Sequence, residues 1–152
     1  MGIEWRCQTF EELTVQDLYA ILRLRSEVFV VEQDCVFLDM DNKDQQSLHV
    51  TGWQNNQLIG YTRLMPPGLA YPEPSIGRVV TASSARRAGA GRELMNFSIE
   101  KLFNVFGKQP IKIGAQLYLK NFYESMGFCQ ISSIYLEDGI EHIEMVFPFL
   151  EN

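Results

Sequence analysis

The stretch IGRVVTASSARRAGAGRELMNFSI, Ile76–Ile99, decides the fold, because it predicts a strand, a glycine-rich turn and a helix in direct succession. The β-branched run Ile76–Thr81 is typical of a buried strand. A helix start can bind an anion, since its first N–H groups lack intrahelical partners and its dipole is positive there. Gly89 and Gly91 have no Cβ, which lets a phosphate approach the backbone. The segment predicts either a pyrophosphate cradle or an ordinary loop with two glycines.

Three arginines, Arg86, Arg87 and Arg92, flank the two glycines and carry planar donors that suit phosphate oxygens. They oppose the sign of the whole chain, whose formal net charge is −6. An acidic chain is not expected to bind nucleic acid non-specifically or to bind an anionic membrane surface. No segment is apolar over a length that predicts a membrane span, and Met1–Arg6 lacks the pattern of a signal peptide.

A single domain is expected over residues 1–152. Of the 152 residues, 46% are hydrophobic and 21% charged, which is typical of a globular protein with a sizeable core. No repeat, low-complexity tract or shift in composition marks a boundary. Cys7, Cys35 and Cys129 are too widely spaced to suggest a disulfide framework or a zinc site, and they suit a cytoplasmic protein.

The segments around the central stretch predict further helices and hairpins. Thr14–Asp17 resembles a capping box and predicts a helix from about Val15 to Val28. Asn55-Asn56 is a tight-turn signal between two alternating strands. The remaining predictions are a helix after Gly91, a strand at Ile111–Ala115, a short helix at Leu119–Met126, and strands at about Gln130–Leu136 and Ile140–Phe147 joined by a turn at Glu137–Gly139.

This order of elements predicts the fold class. The strand–helix–strand unit in the middle of the chain requires parallel strands with a right-handed connection, whereas the hairpins on either side are antiparallel. The pattern therefore predicts one mixed sheet with helices on its faces, class α+β.

An acidic segment lies between the first helix and the first hairpin. It contains Asp34, Asp39, Asp41 and Asp44, and its composition predicts a loop. Two interpretations are open: a solvated loop, or one wall of a pocket for a cation.

Two motifs resemble the GCN5-related N-acetyltransferase (GNAT) family. Val79-Val80-Thr81 followed by Arg86-x-x-Gly89-x-Gly91 and a helix resembles its acetyl-CoA-binding motif. Asn121–Phe128 resembles its second signature, a helix that carries Phe-Tyr and ends in Gly-Phe. Ala88 stands where the family frequently has a glycine or a basic residue.

Further residues resemble the ElaA-type branch of this family, a branch of predicted acetyltransferases without an assigned substrate. They are Leu24-Arg25, Val28–Gln33, Asp39, Asp41, His49, Glu137–Ile140 and His142-Ile143.

The resemblance implies a single GNAT-type α+β domain. Its central sheet would be mixed and mostly antiparallel, with helices on both faces and a parallel strand pair that splays to admit the pantetheine arm of coenzyme A (CoA). The implied pyrophosphate cradle comprises Arg86, Arg87, Ala88, Gly89, Ala90, Gly91 and Arg92. The strand edge at Val79, Val80 and Thr81 would pair with the arm, and Asn121 would bond the arm from the other side.

The reaction that the resemblance implies is direct attack of a primary amine on acetyl-CoA in a ternary complex. A backbone N–H near Val79–Thr81 would stabilise the negative charge on the carbonyl. Tyr123 matches the family's proton donor, and a phenol stays protonated at pH 7. The general base, acting directly or through water, is Glu32, His49 or His142. Each of these four side chains could instead be purely structural.

The expected co-substrate is acetyl-CoA, and no metal is expected. A small amine acceptor, a protein lysine or N-terminus, and a CoA-binding module without catalysis are the alternatives, and a homodimer is left open. Glu32, Asp39 and Asp41 would border the acceptor side of the cleft and attract ammonium groups, so the preferred acceptors would be primary amines with no carboxylate beside the nitrogen.

Overall fold

Two four-stranded antiparallel sheets form the framework of the chain, in a computed structural model that describes residues 2–149. Met1 and residues 150–152, the outer bounds of the predicted domain, lie outside the described residues. The elements are β1 (Glu4–Thr9), α1 (Val15–Arg25), β2 (Leu48–Gln54), β3 (Gln57–Met65), β4 (Ser75–Thr81), α2 (Ala90–Phe106), β5 (Ile111–Gln116), α3 (Lys120–Ser125), β6 (Cys129–Gln130), β7 (Tyr135–Glu137) and β8 (Ile140–Phe147).

The first sheet has the strand order β1-β2-β3-β4, and its central hairpin is the predicted one. Asn55 and Asn56 have φ angles of 52° and 61°, the left-handed values that a tight two-residue hairpin turn needs. Strand β1 was not predicted from the sequence, because it packs against residues that are distant in the chain. The Trp5 ring covers Gly52 so closely that a Cβ there would lie 2.3 Å from it.

The second sheet has the order β5-β8-β6, with β7 on β8. The predicted strand Gln130–Leu136 is wrong, because two strands, β6 and β7, stand in its place. The Ser132 hydroxyl explains the break. It accepts a hydrogen bond from the Glu144 backbone N–H at 2.8 Å and donates to the Ser133 carbonyl at 2.9 Å. Between β6 and β7 this side chain therefore takes the place of a backbone hydrogen bond to β8.

The first helix begins as predicted, because the Thr14 hydroxyl accepts a hydrogen bond from the Asp17 N–H at 3.0 Å. Its end differs. The chain leaves α1 at Arg25 and continues as a π-helix over Ser26–Glu32, beyond the predicted end at Val28. A π-helix of this length is rare, and such turns occur frequently at functional sites.

Strands β4 and β5 begin together and then separate. The Lys112 N–H donates to the Pro74 carbonyl at 3.1 Å, but among residues 2–149 no ladder joins the two strands. The sheet that the residue pattern predicted as one is therefore divided here, as the splay implied by the resemblance requires. The α+β class of the single domain is confirmed.

The two long helices pack on opposite faces of the first sheet. Side chains alternate along β3, so Tyr61 packs with Ile21 and Leu24 of α1 whereas Leu64 packs with Leu94 of α2. Within the described part of the chain, no helix is long and apolar enough to cross a membrane.

Candidate active site

The splayed strands border an open cleft of about 940 Å³. One wall consists of β4, the glycine turn and the π-helix. The other wall consists of β5, α3 and the β7–β8 hairpin. Every residue from Ile76 to Thr81 lines it, so the stretch that decides the fold also forms the longest part of the wall.

The glycine turn leaves the start of α2 uncovered. Gly89 caps the helix with a left-handed φ of 80° and gives it no side-chain cap, and among residues 2–149 no atom beyond its own stretch of chain lies within 4 Å of the position of a Cβ there. The first N–H groups of α2 are thus free to bind a ligand, and this geometry fits the phosphates of a nucleotide. Arg87 and Arg92 line the cleft beside it.

Eight of the eleven predicted CoA-binding residues line the cleft: Val79, Val80, Thr81, Arg86, Arg87, Gly89, Gly91 and Arg92. The other three do not. Ala88 and Asn121 are exposed on the surface, and Ala90 is buried in a small cluster with Ile59 and Ala85.

Arg86, the first residue of the glycine motif, is bound to the end of the π-helix. Its Nη1 and Nη2 donate to the two carboxylate oxygens of Glu32 at 3.0 and 2.6 Å, and Nη2 also donates to the Thr81 carbonyl at 3.3 Å. Glu32 therefore lies at the glycine turn. The expectation that it stands unpaired at the opposite, acceptor end of the cleft is wrong.

Strand β4 contains a bulge. Tyr61 of β3 faces Val80 and Arg63 faces Gly77, so Arg78 and Val79 together oppose the one residue between them. A bulge leaves one residue without ladder partners, and β5 does not cover this edge. Arg78, at the bulge, has the left-handed φ of 51°. Nothing in the local sequence signals the bulge, because this position usually requires glycine.

Tyr123 lies on α3 and lines the cleft although only 5% of it is exposed. Its ring packs edge-on against Phe122 and Phe128. Among residues 2–149 its hydroxyl has no hydrogen-bond partner, and burial raises the pKa of the phenol. The group therefore holds its proton at neutral pH.

His49 lies outside the cleft. It is fully buried, and its Nε2 donates to the Asp44 carbonyl at 2.8 Å while Nδ1 accepts from the Tyr61 hydroxyl at 2.6 Å. Burial lowers the pKa of this imidazole. The ring is fully buried outside the cleft with both nitrogens bonded, so no substrate in the cleft can reach it and the geometry opposes the prediction of His49 as the base.

His142 lines the cleft beside the β7–β8 turn. Its Nδ1 lies 2.8 Å from the Ile140 carbonyl and must donate to it, which leaves the lone pair of the neutral ring on Nε2. The Glu137 carboxylate lies 3.3 Å from Nε2 and would pair with the protonated ring. The hydrogen bond from Arg86 lowers the pKa of the Glu32 carboxyl, which makes this carboxylate a poorer base than an unpaired one.

Three of the four aspartates of the acidic segment, Asp39, Asp41 and Asp44, are bound to arginines, so they form neither a solvated loop nor an unpaired wall for a cation, although Asp41 lines the cleft. Asp34 is exposed. Asp39 and Asp44 accept from Arg25 at 2.8 Å each, Asp41 and Asp44 accept from Arg63, and Asp39 accepts from Arg78 at 2.9 Å. We call Arg25, Arg63, Arg78, Asp39, Asp41 and Asp44 the charge cluster.

The charge cluster was missed by sequence reasoning, although one signal was present. Arg25 continues the apolar face of α1 that contains Ile21, and it is fully buried. A charged residue at a core position needs buried partners. Its partners lie 14 and 19 residues away, so the pattern cannot identify them.

Two side-chain contacts cross the cleft from the segment after the π-helix. The amides of Gln33 and Gln116 bond each other at 3.3–3.4 Å, and the Cys35 thiol donates to the Asp138 carbonyl at 3.3 Å. All four residues line the cleft. In residues 2–149 no group of three His, Cys, Asp or Glu side chains could hold a metal ion.

Sequence and structure comparisons with known proteins agree on one family. The family model of the acetyltransferase (GNAT) domain matches residues 12–149. The UPF0039 protein sll0451 of Synechocystis is 43% identical over 97% of this chain and 96% of its own. The Escherichia coli protein ElaA is 39% identical over 94% of this chain and 95% of its own, and its crystal structure has a TM-score of 0.89.

A crystal structure of an acyl-CoA N-acyltransferase from Pseudomonas aeruginosa is similar throughout. Its TM-score is 0.90 at 37% identity, and the match covers 95% of this chain and 99% of that one.

Proposed function

Because this chain belongs to the acetyltransferase (GNAT) family and is an acyl-CoA-dependent N-acyltransferase, we propose that it transfers an acetyl group from acetyl-CoA to a primary amine. The amine attacks the thioester directly, in a ternary complex. One observation carries the proposal: the open start of α2, the bulged edge of β4, Tyr123 and His142 all line the same cleft.

The glycine turn and β4 hold the co-substrate. The free N–H groups at Gly89–Gly91 and the guanidinium groups of Arg87 and Arg92 bind the pyrophosphate, and the uncovered edge of β4 at Val79–Thr81 pairs with the amide-bearing arm. Acetyl-CoA supplies the activated acyl group. A backbone N–H at the bulge, near Val79–Thr81, donates to the acyl oxygen, where negative charge develops.

Tyr123 and His142 move the two protons of the reaction. Tyr123 gives its phenolic proton to the leaving thiolate, because a phenol is protonated at neutral pH and its hydroxyl has no partner among residues 2–149. His142 accepts the proton of the amine at Nε2, and Glu137 stabilises the resulting imidazolium. The hydrogen bond from Nδ1 to the Ile140 carbonyl fixes the tautomer, which is the usual way of setting a histidine base.

The acceptor is a small primary amine. Glu137 and Asp138 are exposed carboxylates of the cleft wall, and no arginine or lysine pairs with either among residues 2–149. They attract an ammonium group to the side of the cleft where His142 lies. The Gln33–Gln116 and Cys35–Asp138 contacts cross the cleft, which favours a slim acceptor over a residue in a folded protein surface.

Tyr123→Phe and His142→Gln test the assignment with a panel of amines and a thiol-reactive dye that detects free CoA. Each variant should lower kcat by about 10²–10⁴-fold, since a general acid or base contributes that much. The acetyl-CoA KM should hardly change. Tyr118→Phe is the matched control, because Tyr118 is a second phenol that lines the cleft but is 72% exposed.

Wild-type kcat in Tyr123→Phe would make Tyr123 a packing residue. Acetyl-CoA binding without thiol release for any amine would identify a binding module instead of an enzyme.

A further inference from the structure

Arg78 has a backbone conformation that arginine rarely adopts. Its φ of 51° lies in the left-handed region, in the middle of β4. In bulges of this kind that position is usually glycine, since a Cβ disfavours the left-handed region. A residue in such a conformation persists only where its surroundings hold it there.

The charge cluster supplies those surroundings. Arg78 Nε donates to Asp39 Oδ1 at 2.9 Å, and Nη2 donates to the Asp39 carbonyl at 2.8 Å and to Asp41 Oδ2 at 3.5 Å. Asp39 is 6% exposed and is itself fixed by the fully buried Arg25 through Oδ2 at 2.8 Å and its carbonyl at 3.3 Å. The guanidinium of Arg78 is therefore bound to a buried aspartate, Asp39, that is itself held by a second arginine, Arg25.

Arg78 lies in the part of the cleft wall to which the proposed function assigns the backbone donor for the acyl oxygen. Arg78 and Val79 oppose a single residue of β3, and the uncovered edge of β4 faces the cleft. The direction of the backbone N–H groups at this bulge depends on the φ of Arg78. Small displacements of groups that act on a reacting atom have large effects on rate.

We propose that Arg78 is a positioning residue for the acyl transfer. Its bonds to Asp39 hold the left-handed bulge, and the bulge in turn fixes the backbone donor for the acyl oxygen. This inference rests on the proposed function and extends it to the charge cluster, which would otherwise serve stability alone.

A series of substitutions separates the backbone from the side chain: Arg78→Gly, Arg78→Asn, Arg78→Ala and Arg78→Val. All four lose the bonds to Asp39 and Asp41, but glycine and asparagine accept a left-handed φ whereas alanine and valine resist it. We expect kcat to fall in the order Arg, Gly, Asn, Ala, Val. Alanine should lose about 10²-fold, the size expected when one oxyanion donor is misplaced.

The readouts are kcat and KM for both substrates, together with the midpoint of urea unfolding for each variant. Only kcat should follow the left-handed preference, and the acceptor KM should stay within about threefold of wild type. Equal kcat in all four variants with a raised acceptor KM would overturn the proposal, because the guanidinium would then contact the acceptor. Wild-type kcat in all four would also overturn it and leave Arg78 as a stabilising residue.

The glycine and asparagine variants keep the test valid if alanine or valine prevents folding. Failure of the proposed function is distinguishable, since the wild type itself would then bind acetyl-CoA without releasing thiol for any amine.

Discussion

Two regions beside β4 are held together by ion pairs of very different burial. On one side the charge cluster binds the acidic segment to β3 and β4, with the Arg25 and Arg63 side chains 0% and 2% exposed. At the glycine turn a single pair joins Arg86 to Glu32, with side chains 38% and 44% exposed. Arginine and carboxylate meet at similar distances in both regions.

The difference in burial gives the same chemistry two roles. A buried charge without its partner is expensive, so the charge cluster has one arrangement and holds the fold around the bulge. An exposed pair is weak because water and salt screen it, so Arg86 can exchange Glu32 for an anionic ligand. Four predictions test this contrast.

Arg25→Met removes a buried cation and should have the largest effect. Asp39 and Asp44 would each lose a 2.8 Å bond while remaining buried. Leaving a buried charge uncompensated typically costs about 3–5 kcal/mol. We expect a loss of that size in the free energy of unfolding, measured by urea denaturation.

Arg23→Met is the matched control, because Arg23 lies on the same helix but is exposed. It should change the stability by less than about 0.5 kcal/mol. Equal effects of the two substitutions would show that the charge cluster contributes no more than an ordinary surface charge.

The same contrast explains how far the sequence could predict the site. The glycine turn is local: Gly89, the preceding strand and the following helix adjoin in the chain, and the helix predicted after the turn is present, from Ala90 onward. The Asn55-Asn56 hairpin and the Thr14 cap are local too, and the structure confirms both.

The missed features all depend on distant partners. Asp39 meets Arg78 39 positions away, and Glu32 meets Arg86 54 positions away. From composition alone, the carboxylates of Asp39 and Glu32 were expected to be unpaired, because an ion pair between distant segments is not reflected in the neighbouring residues. The bulge at Arg78 is hidden for the same reason, because its anchor lies in another segment.

Gly89→Glu tests the exposed region and should abolish ligand-induced stabilisation. A ligand at 100 times its Kd stabilises the native state by roughly 2.7 kcal/mol. Acetyl-CoA at that concentration should raise the Tm of the wild type and leave this variant unchanged, because the new carboxylate would occupy the phosphate position.

Gly68→Glu is the control for backbone strain. Gly68 has a similar φ of 89° and, like Gly89, has open space at the position of a Cβ as far as the described residues go, but it lies outside the cleft. It should lose stability yet keep the full shift with acetyl-CoA. A normal shift in Gly89→Glu would exclude the turn as the phosphate site.

Lowering the pH should weaken the ion pairs of the charge cluster. Burial raises the pKa of Asp41, but the hydrogen bonds from Arg63 outweigh this and hold that pKa well below its usual range; those from Arg25 do the same for Asp44. A carboxyl with a lowered folded-state pKa stabilises the fold above its unfolded pKa, about 3.9, and loses that contribution as the pH falls further. The free energy of unfolding should therefore decline below about pH 4, less steeply in Asp41→Asn. Parallel profiles of the two proteins would assign the decline to other groups.

Glu32→Gln should have the smallest effect, and the direction in which the KM values change shows at which end of the cleft Glu32 acts. The substitution releases two donors of Arg86 beside the start of α2, which raises the local positive potential. The acetyl-CoA KM should fall by at most about fivefold, the size typical of exposed ion pairs, and less at high salt. The acceptor KM and kcat should not change, because Glu32 lies at the glycine turn. A raised acceptor KM with an unchanged acetyl-CoA KM would instead return Glu32 to the acceptor side, and a collapse of kcat would make it the base in place of His142.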